Sequence, residues 1–218
     1  MATIQSYVRP AELYRYRSLK KFDQELEAIE KRFLYCATYD KLNDPMEGLF
    51  KSTRRLRISE DYKSIRDSII GNKTNTGICS FSEVHNHGPM WAHYADNFKG
   101  ICIAYRLSTL LDSLPEEVTL VRMFYNEDVP AVSLSEPEPA KKILSYKNYR
   151  WLYEREWRMF ATRGPVSYLT SECVTRVYLG SRMTDTHRNQ INARLNRLNL
   201  TTHDMVIDKY SIGFEPTS

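Results

Sequence analysis

The run Glu154-Arg155-Glu156-Trp157-Arg158 places two carboxylates and a guanidinium at alternate positions. If it begins a strand, the period of two puts Glu154, Glu156 and Arg158 on one face and Arg155 and Trp157 on the other. Two acids so close raise at least one pKa unless cations offset the repulsion, which suits acid–base work or the stabilisation of a cationic transition state. A charged edge strand with internal salt bridges has the same pattern, so both readings stand. Arg15 and Arg17, two apart in Leu13-Tyr14-Arg15-Tyr16-Arg17, also share a strand face. There they either hold phosphates bidentately or make structural ion pairs.

A third constellation is Gly88-Pro89-Met90-Trp91-Ala92-His93-Tyr94-Ala95. On a helix Trp91 and Tyr94 are neighbours at three apart, and Met90 and Tyr94 at four. The resulting aromatic stripe is either core or a stacking wall. His93 points to a different side and is either a hydrogen-bonded structural residue or an acid–base group. The tripeptide His85-Asn86-His87 shares its letters with a nuclease motif, without that motif's strand, helix and metal context. Asp40, Asp44 and Glu47 supply further carboxylates that can join the cleft of Glu154 and Glu156.

These side chains need elements to position them. The alternation in Leu13–Arg17 predicts a strand, followed by an amphipathic helix over Phe22–Lys31 and a second strand over Phe33–Thr38. Tyr39 to Gly48 carries the strongest turn chemistry, because Pro45 biases Asp44 away from the helical region while Asn43 and Asp44 can cap their own backbone. A helix over Asp61–Ile70 leads to a strand, Gly77–Ser82, on which Ser80 and Ser82 share one side. Pro89 opens a helix running to Phe98, which Gly100 ends. Strands are expected at Ile101–Tyr105, Val118–Tyr125, Trp157–Thr162 and Val174–Leu179, with helices over Ala140–Arg150 and Thr184–Leu198 and one or two closing strands through Phe214. Glu127 to Pro139 reads as a surface loop. Strands and helices mix without regular βαβ spacing, so the expected class is α+β, a mixed and possibly split sheet with flanking helices. Neither G-x-G-x-x-G nor G-x-x-x-x-G-K occurs, which argues against a Rossmann dehydrogenase and a P-loop ATPase.

Length and composition agree with one domain over 1–218. The apolar share of 42% and charged share of 27% are ordinary for a globular chain, and 31 basic against 27 acidic residues lean weakly toward an anionic partner. Cys36, Cys79, Cys102 and Cys173 lie far apart without a C-x-x-C pair, which predicts buried free thiols. No apolar leader precedes Pro10 and nowhere do 18 apolar residues run together, so a cytoplasmic, membrane-free protein is expected.

Taken in order, Leu13-Tyr14-Arg15-Tyr16-Arg17-Ser18, Leu42-Asn43-Asp44-Pro45-Met46-Glu47, Cys79-Ser80-Phe81-Ser82, Met90-Trp91-Ala92-His93-Tyr94-Ala95 and Tyr153-Glu154-Arg155-Glu156-Trp157-Arg158 closely resemble the bacterial domain-of-unknown-function family numbered 2971, over roughly Leu13 to Gly180. More distantly, an Arg-bearing first strand, a Ser-bearing strand and a late strand opening with E-x-E resemble the order seen in ADP-ribosyltransferases. That resemblance implies NAD as co-substrate and no metal. Arg17, with Arg15 in reserve, would anchor the NAD phosphates, and Ser80 or Ser82 would orient the nicotinamide-ribose. Glu156 would stabilise the oxocarbenium-like ribose while Glu154 aligns the acceptor. Trp91, His93 and Tyr94 have no fixed counterpart in those enzymes; beside the carried-over residues, Trp91 and Tyr94 are expected as cofactor contacts, His93 as a catalytic aid, and Asn43, Asp44 and Arg158 as substrate contacts. The family's Ser-Thr-Ser triplet is replaced here by Ser80-Phe81-Ser82. The implied protein is a bacterial toxin or antiviral defence effector that modifies nucleic acid or protein, with an antitoxin or regulator as a further partner. Two alternatives stay open. One is a nuclease in which Asp44, Glu47, Glu154 and Glu156 hold magnesium, assisted by Lys147 or His93. The other is a module that stacks a nucleotide without turnover.

Overall fold

A computed structural model describes residues 9–217, so the leader reading over 1–8 falls outside the described residues. The fold is α+β, with a mixed sheet and helices, as the irregular alternation of elements predicts. The chain divides into two compact units, each built from separated segments.

The first unit takes residues up to Arg32, Ser82–Ser113 and the chain from Tyr168 onward. Its strands lie in the order Ser211–Pro216, Thr201–Asp208, Val174–Leu179, Ile101–Arg106 and Glu12–Arg17. Neighbours are antiparallel except Val174–Leu179 and Thr201–Asp208, which are parallel. A parallel pair needs a crossover, and the Asp185–Asn196 helix, capped by the Thr184 hydroxyl, provides it. The central strand Ile101–Arg106 is buried from Ile101 through Tyr105, which explains its near-continuous apolar run. Gly100 and Gly180 are required by close backbone approach. A Cβ on Gly100 would collide with the Arg17 carbonyl, and one on Gly180 with the Phe98 carbonyl.

The second unit takes Phe33–Phe81 and Leu114–Ser167. Here the strand entered at Thr76 neighbours Glu156–Thr162, which pairs antiparallel with Thr119–Arg122. Short pairs surround this centre: Phe33–Cys36 with Gly164–Ser167, Lys51–Ser52 with Ala131–Val132, and Phe124–Asn126 with Tyr146–Asn148. Two apolar clusters hold it together, one of Leu56, Ile69, Val132 and Ile143, the other of Ile78, Leu144 and Phe160.

Several boundaries differ from the sequence expectations. The helix opened by Pro89 spans only Gly88–Tyr94, because Asp96, Asn97 and Phe98 all take positive φ and cannot continue it. The expected Val118–Tyr125 strand is two, Thr119–Arg122 and Phe124–Asn126, with different partners. The expected Ala140–Arg150 helix stops at Leu144, and the chain then forms a strand, Tyr146–Asn148, and a 3-10 turn, Tyr149–Glu154. The Leu107–Ser113 helix and the Gly164–Ser167 strand were not anticipated. All four cysteines are free and buried, as expected.

Candidate functional site

The second unit encloses a network of ionised side chains. Glu154 is the last residue of the Tyr149–Glu154 turn, Arg155 reverses the chain at φ 44°, and the strand begins only at Glu156. The expected strand face therefore holds for Glu156 and Arg158, which alternate on the strand and bond each other directly, and not for Glu154, which precedes the strand. Glu154 is joined to Glu156 by Lys147, on the neighbouring Tyr146–Asn148 strand. Its Nζ donates to Glu154 Oε2 at 2.5 Å and Glu156 Oε2 at 3.0 Å, and lies 3.5 Å from Glu47 Oε1.

Arg158 is fully buried and uses all five of its N–H groups. Nε donates to Glu156 Oε1 at 2.8 Å. Nη1 donates to Glu47 Oε2 at 2.9 Å and the Leu144 carbonyl at 2.7 Å. Nη2 donates to Glu47 Oε1 at 2.6 Å and Glu156 Oε2 at 3.2 Å. The backbone N–H of Glu156 donates to the Tyr125 hydroxyl at 2.7 Å, which fixes the start of the strand.

Charge follows from this geometry. Burial alone would raise the Glu156 carboxyl, but Arg158 and then Lys147 outweigh it and hold it down at about 2. The Ser80 hydroxyl adds to the lowering, without a hydrogen bond of good geometry. Burial works against the Lys147 ammonium, yet Glu156 and Glu154 more than offset it and keep its pKa above the ordinary lysine range. Among the described residues the network thus gathers three carboxylates, Glu47, Glu154 and Glu156, around two cations, Lys147 and Arg158.

A cleft of about 150 Å³ reaches this network at Glu47 and Lys147, which line both. Asp44, Asn126, Glu127, Asp128 and Tyr146 form part of its wall. Asp44 is buried and its Oδ1 accepts from the Met46 N–H at 2.9 Å, the self-capping expected of this loop. Gly48 takes φ +72°, and its carbonyl accepts from the buried Lys73 Nζ at 2.8 Å, so the loop that carries Glu47 is pinned from behind. Asn43 is exposed. Asp40 is exposed and pairs with Lys41, and is not among the residues lining the cleft.

The remaining predicted residues belong to the first unit. Arg15 and Arg17 do share a face, and what they meet is Glu25, at 3.7 Å and 2.6 Å. Arg15 is almost fully buried, which makes the structural ion pair the better account of it. Ser82 is buried and its hydroxyl accepts from the Val84 N–H at 3.1 Å, a turn contact. Trp91 is 0% exposed, donates its indole N–H to the His85 carbonyl at 2.6 Å and meets Tyr16 edge-on at 5.3 Å. It is core, which corrects its reading as a cofactor wall. His93 is exposed, with its ring 6.3 Å from that of Tyr94, which is half-buried. Sequence reasoning missed Tyr125 and the central place of Lys147. An excess of tyrosine, 15 residues, hinted at the first. Nothing local hinted at the second, since Lys147 fell in an expected helix.

Among the described residues no three His, Cys, Asp or Glu side chains are grouped as a metal site, and Glu47, Glu154 and Glu156 surround Lys147 and Arg158 instead. No helix among the described residues is long and apolar enough to cross a membrane.

Fold and site together define an α+β protein organised around a buried, acid-rich charge network. The model of the family described as Protein of unknown function (DUF2971) matches residues 90–159, about a third of the chain, and over that segment the chain is similar to this family. The matched stretch contains Lys147, Glu154, Glu156 and Arg158, and the motifs at Leu13–Ser18, Leu42–Glu47 and Cys79–Ser82 lie outside the match. No curated protein and no solved structure matches the chain.

Proposed function

We propose that the chain is an NAD-dependent ADP-ribosyltransferase with Glu156 as its catalytic carboxylate. One observation carries the reading: a buried network in which carboxylates outnumber cations three to two, with Glu156 held ionised at about 2. Excess negative charge in a low-dielectric site favours a positive partner far more than it would in water. The oxocarbenium-like ribose that forms as the bond to nicotinamide breaks is such a partner. Its bonding electrons leave with the nicotinamide nitrogen, which departs neutral. Glu156 stabilises the positive charge at the anomeric carbon, and Glu154 orients the acceptor that attacks there. The acid-rich cleft at Glu47 and Lys147 suits the cationic nicotinamide-ribose end of NAD. Nucleic acid is the favoured acceptor, from the basic balance of the chain, and a role as a toxin or defence effector belongs to the same proposal.

The test is nicotinamide release from NAD by purified protein in EDTA, offered RNA, DNA or cell lysate. Release without metal supports the transferase. Nucleic-acid cleavage that needs magnesium and is lost to EDTA overturns it in favour of a nuclease.

A specific observation favours a second reading. Every N–H of Arg158 is already occupied, and the Glu156 oxygens take three donors without any ligand. A network complete in itself suits the rigid floor of a nucleotide-binding module. Nucleotide binding that survives Glu156→Gln, with no product formed, identifies that case.

A further inference from the structure

The first unit carries an open cleft of about 670 Å³ that the proposed chemistry does not use; Arg9, Glu12, Tyr14, Arg106, Leu111 and Arg176 are part of its lining. Its size falls in the range of roughly 300–1,000 Å³ typical of ligand sites.

The charges of this lining are unequal. Three guanidiniums, of Arg9, Arg106 and Arg176, stand with the carboxylates of Glu12 and Glu83. Glu12 is already satisfied: Oε1 accepts from Thr175 Oγ1 at 2.7 Å and Arg176 Nη2 at 3.2 Å, and Oε2 from the Tyr14 hydroxyl at 3.0 Å. Those contacts also fix the Arg176 side chain, which is 38% exposed. Arg106 is the cross-strand neighbour of Glu12, yet it is exposed and makes no ion pair among the described residues. One guanidinium is thus oriented by a carboxylate, a second is uncommitted, and both border a concave surface with an aromatic ring, that of Tyr14, and an aliphatic side chain, that of Leu111. Guanidiniums so arranged match phosphate oxygens bidentately, and an aromatic wall suits an attached base.

We propose that this cleft is a phosphate-binding site for a nucleotide or a nucleic-acid strand, with Arg106 and Arg176 holding the phosphate. The inference does not depend on NAD chemistry at Glu156.

Calorimetric titration of the full chain with pyrophosphate, adenosine monophosphate and a single strand of about ten nucleotides tests it. Arg106→Gln should weaken binding by about tenfold or more with the melting temperature unchanged, and Arg106→Glu should weaken it at least as much, with a slightly lower melting temperature because it faces Glu12 across the strands. Arg57→Glu, the same charge change on an exposed arginine of the second unit, should leave binding as it was. Tighter binding of the strand than of the mononucleotide assigns a polynucleotide ligand, and equal binding a nucleotide. Equal weakening by Arg57→Glu and Arg106→Glu, or no binding of any probe, overturns the proposal.

Discussion

Arg158 and Glu47, 111 residues apart in the chain, form a two-point pair, Nη1 to Oε2 at 2.9 Å and Nη2 to Oε1 at 2.6 Å, around a fully buried guanidinium. The pair ties the turn-rich loop at Asp44–Gly48 to the strand that carries Glu156. Through it the cleft wall and the ionised carboxylate form one cooperative structure rather than two adjacent features. Buried pairs of this kind confer little net stability when intact, but breaking one leaves a charge uncompensated.

Lys147→Met should therefore be strongly destabilising. It removes one of two cations facing three buried carboxylates, and the expected loss is ~3–5 kcal/mol in urea unfolding. A loss under ~1 kcal/mol would mean that the network is solvated and not the enclosed site described above.

Acid should act on the same network. The Glu156 pKa falls on folding from about 4.3 to about 2, so folding favours its charged form. Its stabilisation is present above the unfolded value and is lost as pH falls through about 2. Lys147 is raised, and its contribution is full below the ordinary lysine value, so it does not alter this acid window. Stability should decline between pH of about 4.3 and 2, and the acid midpoint should move upward in Lys147→Met. Far-UV circular dichroism against pH measures both, and an unmoved midpoint would contradict the coupling.

Trp91→Phe separates core from ligand wall. The indole N–H leaves the His85 carbonyl without its donor, at an expected cost of ~1–3 kcal/mol in thermal unfolding. Nucleotide affinity should not change, because no part of Trp91 reaches solvent. A lowered affinity with unchanged stability would restore the stacking reading.

The sequence was most informative where periodicity decided the outcome. Strands at Glu12–Arg17, Phe33–Cys36, Thr76–Ser82 and Val174–Leu179, and the helix Asp185–Asn196, all lie within a few residues of expectation. It was least informative where tertiary contacts overrode propensity. The run from Ala140 to Arg150 has helical composition, yet the chain leaves the helix at Ser145 and pairs Tyr146–Asn148 with Phe124–Asn126, and that switch is what aims Lys147 at Glu154 and Glu156. The pairing of Glu156 with Arg158 was legible together with its cause, strand alternation, while the cause that brings Glu154 to them was not. A left-handed Arg155, rather than strand alternation, sets Glu154 in place. Arg15 and Arg17 were legible as a pair, but their partner Glu25 lies on a helix whose facing no local pattern reveals.

The most direct measurement is the rate of nicotinamide release by wild type and by Glu156→Gln, below the melting temperature of the variant and in EDTA. The proposed function predicts metal-independent release that falls about a hundredfold or more in kcat on loss of the charge, while NAD still binds. Release that is unchanged in Glu156→Gln, or absent from wild type with every acceptor, would contradict it.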